Sequence, residues 1–370
     1  SGTFNLIVNS DGASEKCIPN GSVTSMNDLT MTDGEFELPS STNIEASGDL
    51  IIQANGVADL NPASSDGNVT FRSVVISSGG GLEAPSHGSF TLTGTLSAWS
   101  FQNNSTNFNH NNGTITQTNA GHIKSVSSNP MYNFVLNSAS SDSHEAVFRP
   151  SSGTDCVIAA NKVTVTRGIV KLNTVSDNAS MGSLSIGSTG TFQASSGTTT
   201  ITSEATDGVC LRSNGTFTHN SGLVSIETAD HTTLVWASAS QRFNNLTVNL
   251  GASGRVCTLS GQFDSHRYVE GNFTVTNCKF DTNNAGTFRI DGDVSLTSSA
   301  TLTCGTSTCS FGGIKLPSGT TLSASSGTTT ITNRFTGESH LWKNDGGTFT
   351  HNNGTVKFND NDHSAVKENT

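Results

Sequence analysis

A ten-residue segment that occurs three times constrains this chain more than any other feature of its sequence. Gly347–Val356 is GTFTHNNGTV, Gly215–Val224 is GTFTHNSGLV, and Thr106–Ile115 is the looser TNFNHNNGTI. In each copy, two short runs of alternating apolar and polar residues flank an Asn-rich corner. Alternation with a period of two predicts β-strands, and Asn before Gly or Ser-Gly predicts a tight turn that tolerates positive φ. The segment therefore predicts one coil of a repetitive β-structure.

Each copy also carries a histidine two residues after a phenylalanine, on what we expect to be the same strand face. These histidines are His110, His219 and His351. One hypothesis is that they bind metal or sense pH. The other is that they are polar strand residues, repeated because the unit was duplicated. Because more than 100 residues separate one from the next, they lie too many coils apart to share an ion. We favour the second hypothesis.

A second repeated segment divides the chain into three larger units. It occurs as Phe4–Ser14 (FNLIVNSDGAS), Tyr132–Asp142 (YNFVLNSASSD) and Phe243–Ser253 (FNNLTVNLGAS). The predicted units are 1–131, 132–242 and 243–370, forming one continuous rod, and each contains coils of about 20–27 residues. We predict an all-β fold, a right-handed parallel β-helix (β-solenoid), in which each strand pairs with its equivalent one coil away.

Composition supports this fold and excludes some partners. Only 32% of the residues are hydrophobic and 13% are charged, while Gly, Ser, Thr and Asn are abundant. This composition is typical of a fold in which short strands alternate with many turns. The net charge of −11 argues against nucleic acid as a partner, because the sequence has no cluster of Lys and Arg that could bind the phosphate backbone. No apolar run approaches the length of a membrane span, so we expect no membrane insertion. The chain begins with Ser1 and not Met, so we expect a processed product or a segment of something longer.

The two ends of the sequence fit each other as halves of one coil. Joining Thr370 to Ser1 places Phe4 eleven residues after His363. The equivalent separations inside the chain are ten residues, from His122 to Tyr132, and twelve residues, from His231 to Phe243. We predict a polymer junction formed by Phe4, Leu6, Val8, His363 and Val366. Its partner is a second copy, head-to-tail, or the next part of a longer repeat chain.

The seven cysteines form no zinc-type cluster. Two pairings are open: Cys304 with Cys309 across a small loop, and Cys257 with Cys278 on neighbouring coils. The alternative, which we favour for most of them, is that they are small buried apolar side chains.

No motif predicts a metal or cofactor. Two acidic pairs are weak calcium candidates at corners, but they match no known calcium loop and also suit solvated turns. They are Asp291, Asp293, Asp360 and Asp362. We expect no cofactor.

The sequence also lacks the patterns of hydrolytic and nucleotide-binding sites, with no GxSxG, P-loop or GxGxxG. Glu35 and Glu37 alternate on one strand, which is a weak indication of paired carboxylates. The tryptophans Trp99, Trp236 and Trp342 suit either packing or stacking on sugars, and we favour packing. We predict that the chain is not an enzyme.

Several Asn-x-Ser/Thr sequences lie at the repeated corners. We expect Asn112, Asn214 and Asn353 to be the most exposed of these, and so the best candidates for glycosylation should the chain be secreted by a glycosylating organism.

The GTFTHNNGTV and FNNLTVN segments resemble the Gly/Asn/Thr-rich repeats of large secreted parallel β-helix proteins, which include bacterial surface adhesins, autotransporter passengers and phage or microbial fibres. The resemblance covers nearly the whole chain and carries over no catalytic residue. It implies an extracellular location, on a cell or virion surface. Three functions follow: a fibre subunit, an adhesin that binds glycans on a lateral face, or, less favoured, a polysaccharide-active enzyme.

Overall fold

The computed structural model describes residues 3–10, 15–61, 67–150, 155–172, 178–236, 242–261, 269–284, 286–359 and 365–368. The fold is an all-β parallel β-solenoid with coils of about 23 residues and no helix in the described chain. The predicted fold class and coil length are confirmed. The right-handed sense of the coil stays a prediction.

By packing, the chain forms two compact units, Ser1–Met181 with Gly187–Phe192, and Gly182–Ile186 with Gln193–Thr370. This division does not test the three units predicted from sequence repetition. The strands of the first unit are β1 (Phe4–Asn9), β2 (Lys16–Cys17), β3 (Val23–Glu37), β4 (Ile44–Ala46), β5 (Leu50–Asp59), β6 (Val69–Phe71), β7 (Val74–Ile76), β8 (Gly81–Glu83), β9 (Phe90–Leu92), β10 (Trp99–Asn103), β11 (Asn107–Asn109), β12 (Thr114–Gln117), β13 (Gly121–Lys124), β14 (Met131–Asn137), β15 (Glu145–Phe148) and β16 (Cys156–Leu172). The next strand, β17 (Ala179–Gln193), contributes residues to both units.

The second unit continues the same pattern. Its strands are β18 (Thr198–Ile201), β19 (Val209–Ser213), β20 (Thr216–Thr218), β21 (Leu223–Ile226), β22 (Thr232–Trp236), β23 (Asn245–Asn249), β24 (Val256–Ser260), β25 (Phe273–Thr276), β26 (Lys279–Asp281), β27 (Thr287–Arg289), β28 (Val294–Thr297), β29 (Thr301–Thr303), β30 (Thr308–Phe311), β31 (Ile314–Pro317), β32 (Thr321–Ser323), β33 (Thr328–Ile331), β34 (His340–Asp345), β35 (Thr348–Thr350), β36 (Thr355–Phe358) and β37 (Ala365–Glu368).

Alternating side chains explain why these segments are strands. In β25, Phe273 and Val275 are buried while the threonines between and after them are only half-buried. Such short β-branched and aromatic runs bury one face against the core and leave the other to solvent. The strands of each unit pair in parallel with strands of the neighbouring coil, for example β25 with β28 and β28 with β31.

The core of each unit consists of apolar rows that run from coil to coil. One row of the first unit is Leu6, Leu29, Leu50, Val74, Phe101, Ile123, Phe148 and Leu172. One row of the second unit is Leu246, Phe273, Val294, Ile314, Trp342 and Val366. Each residue packs on its equivalent in the neighbouring coil, so stability comes from nearest-neighbour stacking.

The glycine of the repeated corner is required by close approach of two coils. A Cβ on Gly113 would lie 1.9 Å from the carbonyl oxygen of Pro85 in the preceding coil. A Cβ on Gly222 or Gly354 would likewise lie 1.9 Å from a carbonyl oxygen of the preceding coil. No side chain fits there. A steric constraint therefore explains why glycine ends all three corner sequences.

Candidate functional site

The exposed large hydrophobic side chains in the described part of the chain lie in its first coil and its last. They are Phe4 (48% exposed), Ile7 (65%), Ile18 (55%), Phe358 (40%) and Val366 (48%). Apolar surface that stays in contact with water marks an interaction site when it is grouped. Two groups result, one around β1 and β2 and one around β36 and β37.

The first group lies on a strand with a free edge. β1 pairs in parallel with β3, placing Leu6 opposite Leu29 and Val8 opposite Met31. Among the described strands, β1 has no second partner. Its other edge therefore presents backbone N–H and C=O groups that are ready to pair with another strand.

The second group lines an open apolar cavity of about 190 Å³ in the last coil. Its lining residues are Trp342, Phe349, Val356, Phe358 and Val366. Trp342 meets Phe349 edge-to-face, with ring centroids 4.8 Å apart. Within the described chain, β36 pairs only with β33, so its outer edge is also free.

The internal copies of the same segment show what this surface is like when another coil covers it. Phe108 and Phe217 are buried, whereas their equivalent Phe349 is half-buried. Ile226 is fully buried, whereas its equivalent Phe358 is 40% exposed. The cavity therefore lies at positions that a neighbouring coil covers in the two internal copies.

Four of the five residues predicted for the polymer junction lie on the first and last strands. Phe4, Leu6 and Val8 all lie on β1, and Val366 lies on β37. His363 falls outside the described residues. Sequence reasoning missed Phe349 and Phe358. In the two internal copies, the equivalent residues are followed by a strand that begins with Tyr-Asn or Phe-Asn. The absence of such a strand after Phe358 in the sequence could have identified both residues.

The periodic histidines lie at corners and not on the buried strand face. β11, β20 and β35 end one residue before His110, His219 and His351, so these histidines follow the strands on which the sequence placed them. Each Nδ1 instead accepts a backbone N–H two residues on, over 2.9, 3.0 and 2.9 Å respectively. In the described chain, no group of three or more His, Cys, Asp or Glu side chains is arranged to hold a metal.

A polar groove of about 510 Å³ lies beside the first of these corners. Its lining includes Glu83, Asn107, Asn109, His110 and Asn129. The His110 ring stacks on Tyr132 at a centroid distance of 5.1 Å. Burial lowers the pKa of His110 below its ordinary value. Asn109 donates to the Glu83 carboxylate over 2.7 Å, so part of the hydrogen-bonding capacity of the groove is already used.

A second lateral cluster surrounds Trp99, the one half-buried tryptophan. His122 meets Trp99 edge-to-face at 5.5 Å, and the Arg149 guanidinium lies 5.9 Å from the Trp99 ring centroid. Burial and the Arg149 charge lower the pKa of His122. Trp236 and Trp342 are buried, which confirms the packing interpretation for these two.

The carboxylates singled out from the sequence are held by protein groups. Asp291 pairs with Arg289, and buried Asp293 accepts the Thr336 N–H over 2.9 Å, so Asp293 is not the solvated turn residue that we expected. Asp360 and Asp362 lie outside the described residues. Glu35 and Glu37 both pair with Lys16, over 2.9 and 2.7 Å.

All seven cysteines are free thiols in the structure, and six of them are buried. The interpretation as small buried side chains is confirmed for these six. The pairings of Cys304 with Cys309 and Cys257 with Cys278 are not formed here. At the corners, Asn112, Asn214 and Asn353 are exposed, as their prediction as glycosylation sites requires.

Comparison with known proteins found no family model, curated protein or solved structure that matches the chain. Within the described residues, no helix is long and apolar enough to cross a membrane.

Proposed function

We propose that the chain is a structural subunit, or a tandem segment, of an extracellular fibre. The fibre grows by placing the first coil of one copy on the last coil of another. The single observation that carries this proposal is the grouping of exposed large apolar side chains in those two coils.

The free strand edges support the same function. An unpaired parallel edge with an apolar face is a template for further strand pairing, and added strands continue both the backbone ladder and the apolar core. β1 offers such an edge in the first coil and β36 offers one in the last. No enzymatic step is needed, because the function is mechanical.

Electron microscopy and sedimentation of the purified chain test the proposal. We expect filaments at high protein concentration. Leu6→Asp and Val356→Asp each place a charge in the apolar surface and are expected to abolish filaments while leaving the β-sheet circular dichroism unchanged. Thr216→Asp, at an exposed lateral position, is the matched control and is expected to polymerise normally. A chain that stays monomeric at all concentrations argues against self-assembly and leaves only continuation within a longer repeat chain.

A second candidate is an adhesin that binds glycans on a lateral face. The polar groove beside His110 and the half-exposed Trp99 favour it, because sugars bind through amide and carboxylate hydrogen bonds and through stacking on aromatic rings. A glycan array screened with the wild type, Trp99→Ala and His110→Ala tests this function. Binding that both variants retain contradicts it.

A further inference from the structure

We infer that the joint between two copies has one defined register, in which β36 of one copy pairs with β1 of the next. Thr355 lies opposite Asn5, Val356 opposite Leu6, Lys357 opposite Ile7 and Phe358 opposite Val8. This inference rests on the proposed function and adds the identity of the partner surface, which is the first coil of a second copy.

The register follows from two internal joints of the same sequence type. In the first unit, β12 pairs with β14, with Thr114 opposite Asn133 and Ile115 opposite Phe134. In the second unit, β21 pairs with β23, with Leu223 opposite Asn245 and Val224 opposite Leu246. Both joints place the residue after the corner glycine opposite the asparagine of the next strand. β36 is the equivalent of β12 and β21, and β1 (FNLIVN) aligns with YNFVLN in β14.

A backbone hydrogen bond recurs at both internal joints. The N–H of Asn133 donates to the carbonyl oxygen of Gly113 over 3.2 Å, and the N–H of Asn245 donates to that of Gly222 over 3.3 Å. Gly354 is the third corner glycine. The N–H of Asn5 in the next copy is the matching donor.

Within the described chain, the hydrogen bonds of the Asn5 side chain run to the coil that contains Asn27 and Asp28. Its Oδ1 accepts from Asn27 Nδ2 over 3.0 Å, as Asn133 Oδ1 accepts from Asn161 Nδ2 over 2.7 Å. Asn133 also donates from Nδ2 to Thr114 Oγ1 in the preceding coil, over 3.2 Å. The corresponding donor on Asn5 reaches Thr355 Oγ1 when the two copies join in this register.

The aromatic contact at the corner matches as well. Tyr132 stacks on His110 at 5.1 Å and 27° between ring planes. Phe4 is the equivalent of Tyr132, and His351 is the equivalent of His110. In the joined state, Phe4 therefore covers the His351 ring and loses its exposure to water.

Cross-linking of assembled filaments tests the register. Ile7 and Lys357 are exposed, and parallel strands are about 4.8 Å apart, a Cα separation that a disulfide spans. All variants carry Cys17→Ser, which removes the half-exposed native thiol. Equimolar Ile7→Cys and Lys357→Cys chains are polymerised, oxidised mildly and run on a non-reducing gel. Covalent dimers are expected from the mixture and not from either variant alone.

The matched controls report a slip of two residues, which keeps the same strand face outward. They mix Lys357→Cys chains with Asn5→Cys or Asn9→Cys chains and are expected to give little dimer. Filaments that cross-link in a control mixture, and not through position 7, overturn the register while leaving the fibre function intact. Failure of the unmodified chain to polymerise overturns the joint between separate copies, and with it the subunit form of the proposed function.

Discussion

His110 accepts a hydrogen bond at Nδ1 from the backbone N–H of Asn112, over 2.9 Å. Asn112 adopts the left-handed conformation, with φ of 59°. An Asn or Asp side chain often holds its own turn in this way, by accepting an N–H two residues on. The imidazole does the same here, so the periodic histidine is a cap for the corner between two strands.

Two substitutions of His110 distinguish the contribution of this hydrogen bond from that of ring stacking on Tyr132. His110→Asn retains an acceptor and loses the stack, whereas His110→Phe retains the stack and loses the acceptor. We expect His110→Phe to lower the stability of the corner by about 1 kcal/mol, the net contribution of one hydrogen bond. Hydrogen exchange at the Asn112 amide measures it. Faster exchange is expected for His110→Phe only. Equal exchange rates in both variants contradict the capping role.

The lowered pKa values of His110 and His122 make stability depend on pH. Burial lowers both, and the Arg149 charge adds to the effect on His122, so each ring stays neutral in the fold below the ordinary value of 6.5. Between the lowered pKa and 6.5, the unfolded chain binds more protons than the folded one. The stabilisation is therefore fully present above pH 6.5 and is lost as the pH falls through that window.

Urea unfolding between pH 8 and pH 5 measures this loss. We expect the midpoint to fall with pH in the wild type and to fall less in a His110→Asn/His122→Gln double variant. The double variant is compared at pH 8 first, where both proteins carry neutral side chains at these positions. If the urea midpoints of the two proteins fall equally between pH 8 and pH 5, that result would falsify the assignment of the pH dependence to these histidines.

The sequence predicted the coil because a period of two and a fixed corner leave few alternatives. The same regularity placed Phe4, Leu6 and Val8 on a strand at one end of the chain, since the separation from His363 to Phe4 matches the internal separations. The role of His110 was missed because a hydrogen bond to Nδ1 depends on where the strand ends, and the sequence placed this histidine within the strand. Asp293 was taken for a solvated residue because its partner, Thr336, lies 43 residues away in sequence.

The buried carboxylate of Asp49 depends on Arg72. Arg72 donates from Nε to Asp49 Oδ1 over 2.9 Å, Ser73 Oγ donates to the same oxygen over 2.7 Å, and Asp49 is 2% exposed. Arg72→Met removes the cation and leaves the charge buried, so we expect a loss of about 2–3 kcal/mol in the free energy of unfolding. Adding Asp49→Asn removes the stranded charge and is expected to restore part of this loss. A double variant no more stable than Arg72→Met would show that charge burial is not the cause.

The cysteines are expected to differ sharply in reactivity, because only the thiolate attacks thiol reagents. Burial raises the pKa of Cys210 to about 12 and raises those of Cys257 and Cys304 well above the usual range. Cys17 alone among the seven is half-exposed. In native protein at pH 8, we expect one thiol to react with a chromogenic disulfide reagent, and none in Cys17→Ser.

Full denaturation then exposes the remaining cysteines. The total number of thiols that react shows whether any two cysteines are joined in a disulfide. Seven reactive thiols are expected in the wild type and six in Cys17→Ser, since the structure has every cysteine in the free form. Mass spectrometry of the alkylated chain assigns them. Five reactive thiols in unreduced wild-type protein, with Cys304 and Cys309 or Cys257 and Cys278 protected, would mean that a disulfide suggested by the sequence forms in solution. Neighbouring buried thiols need only an oxidant to form such a bond.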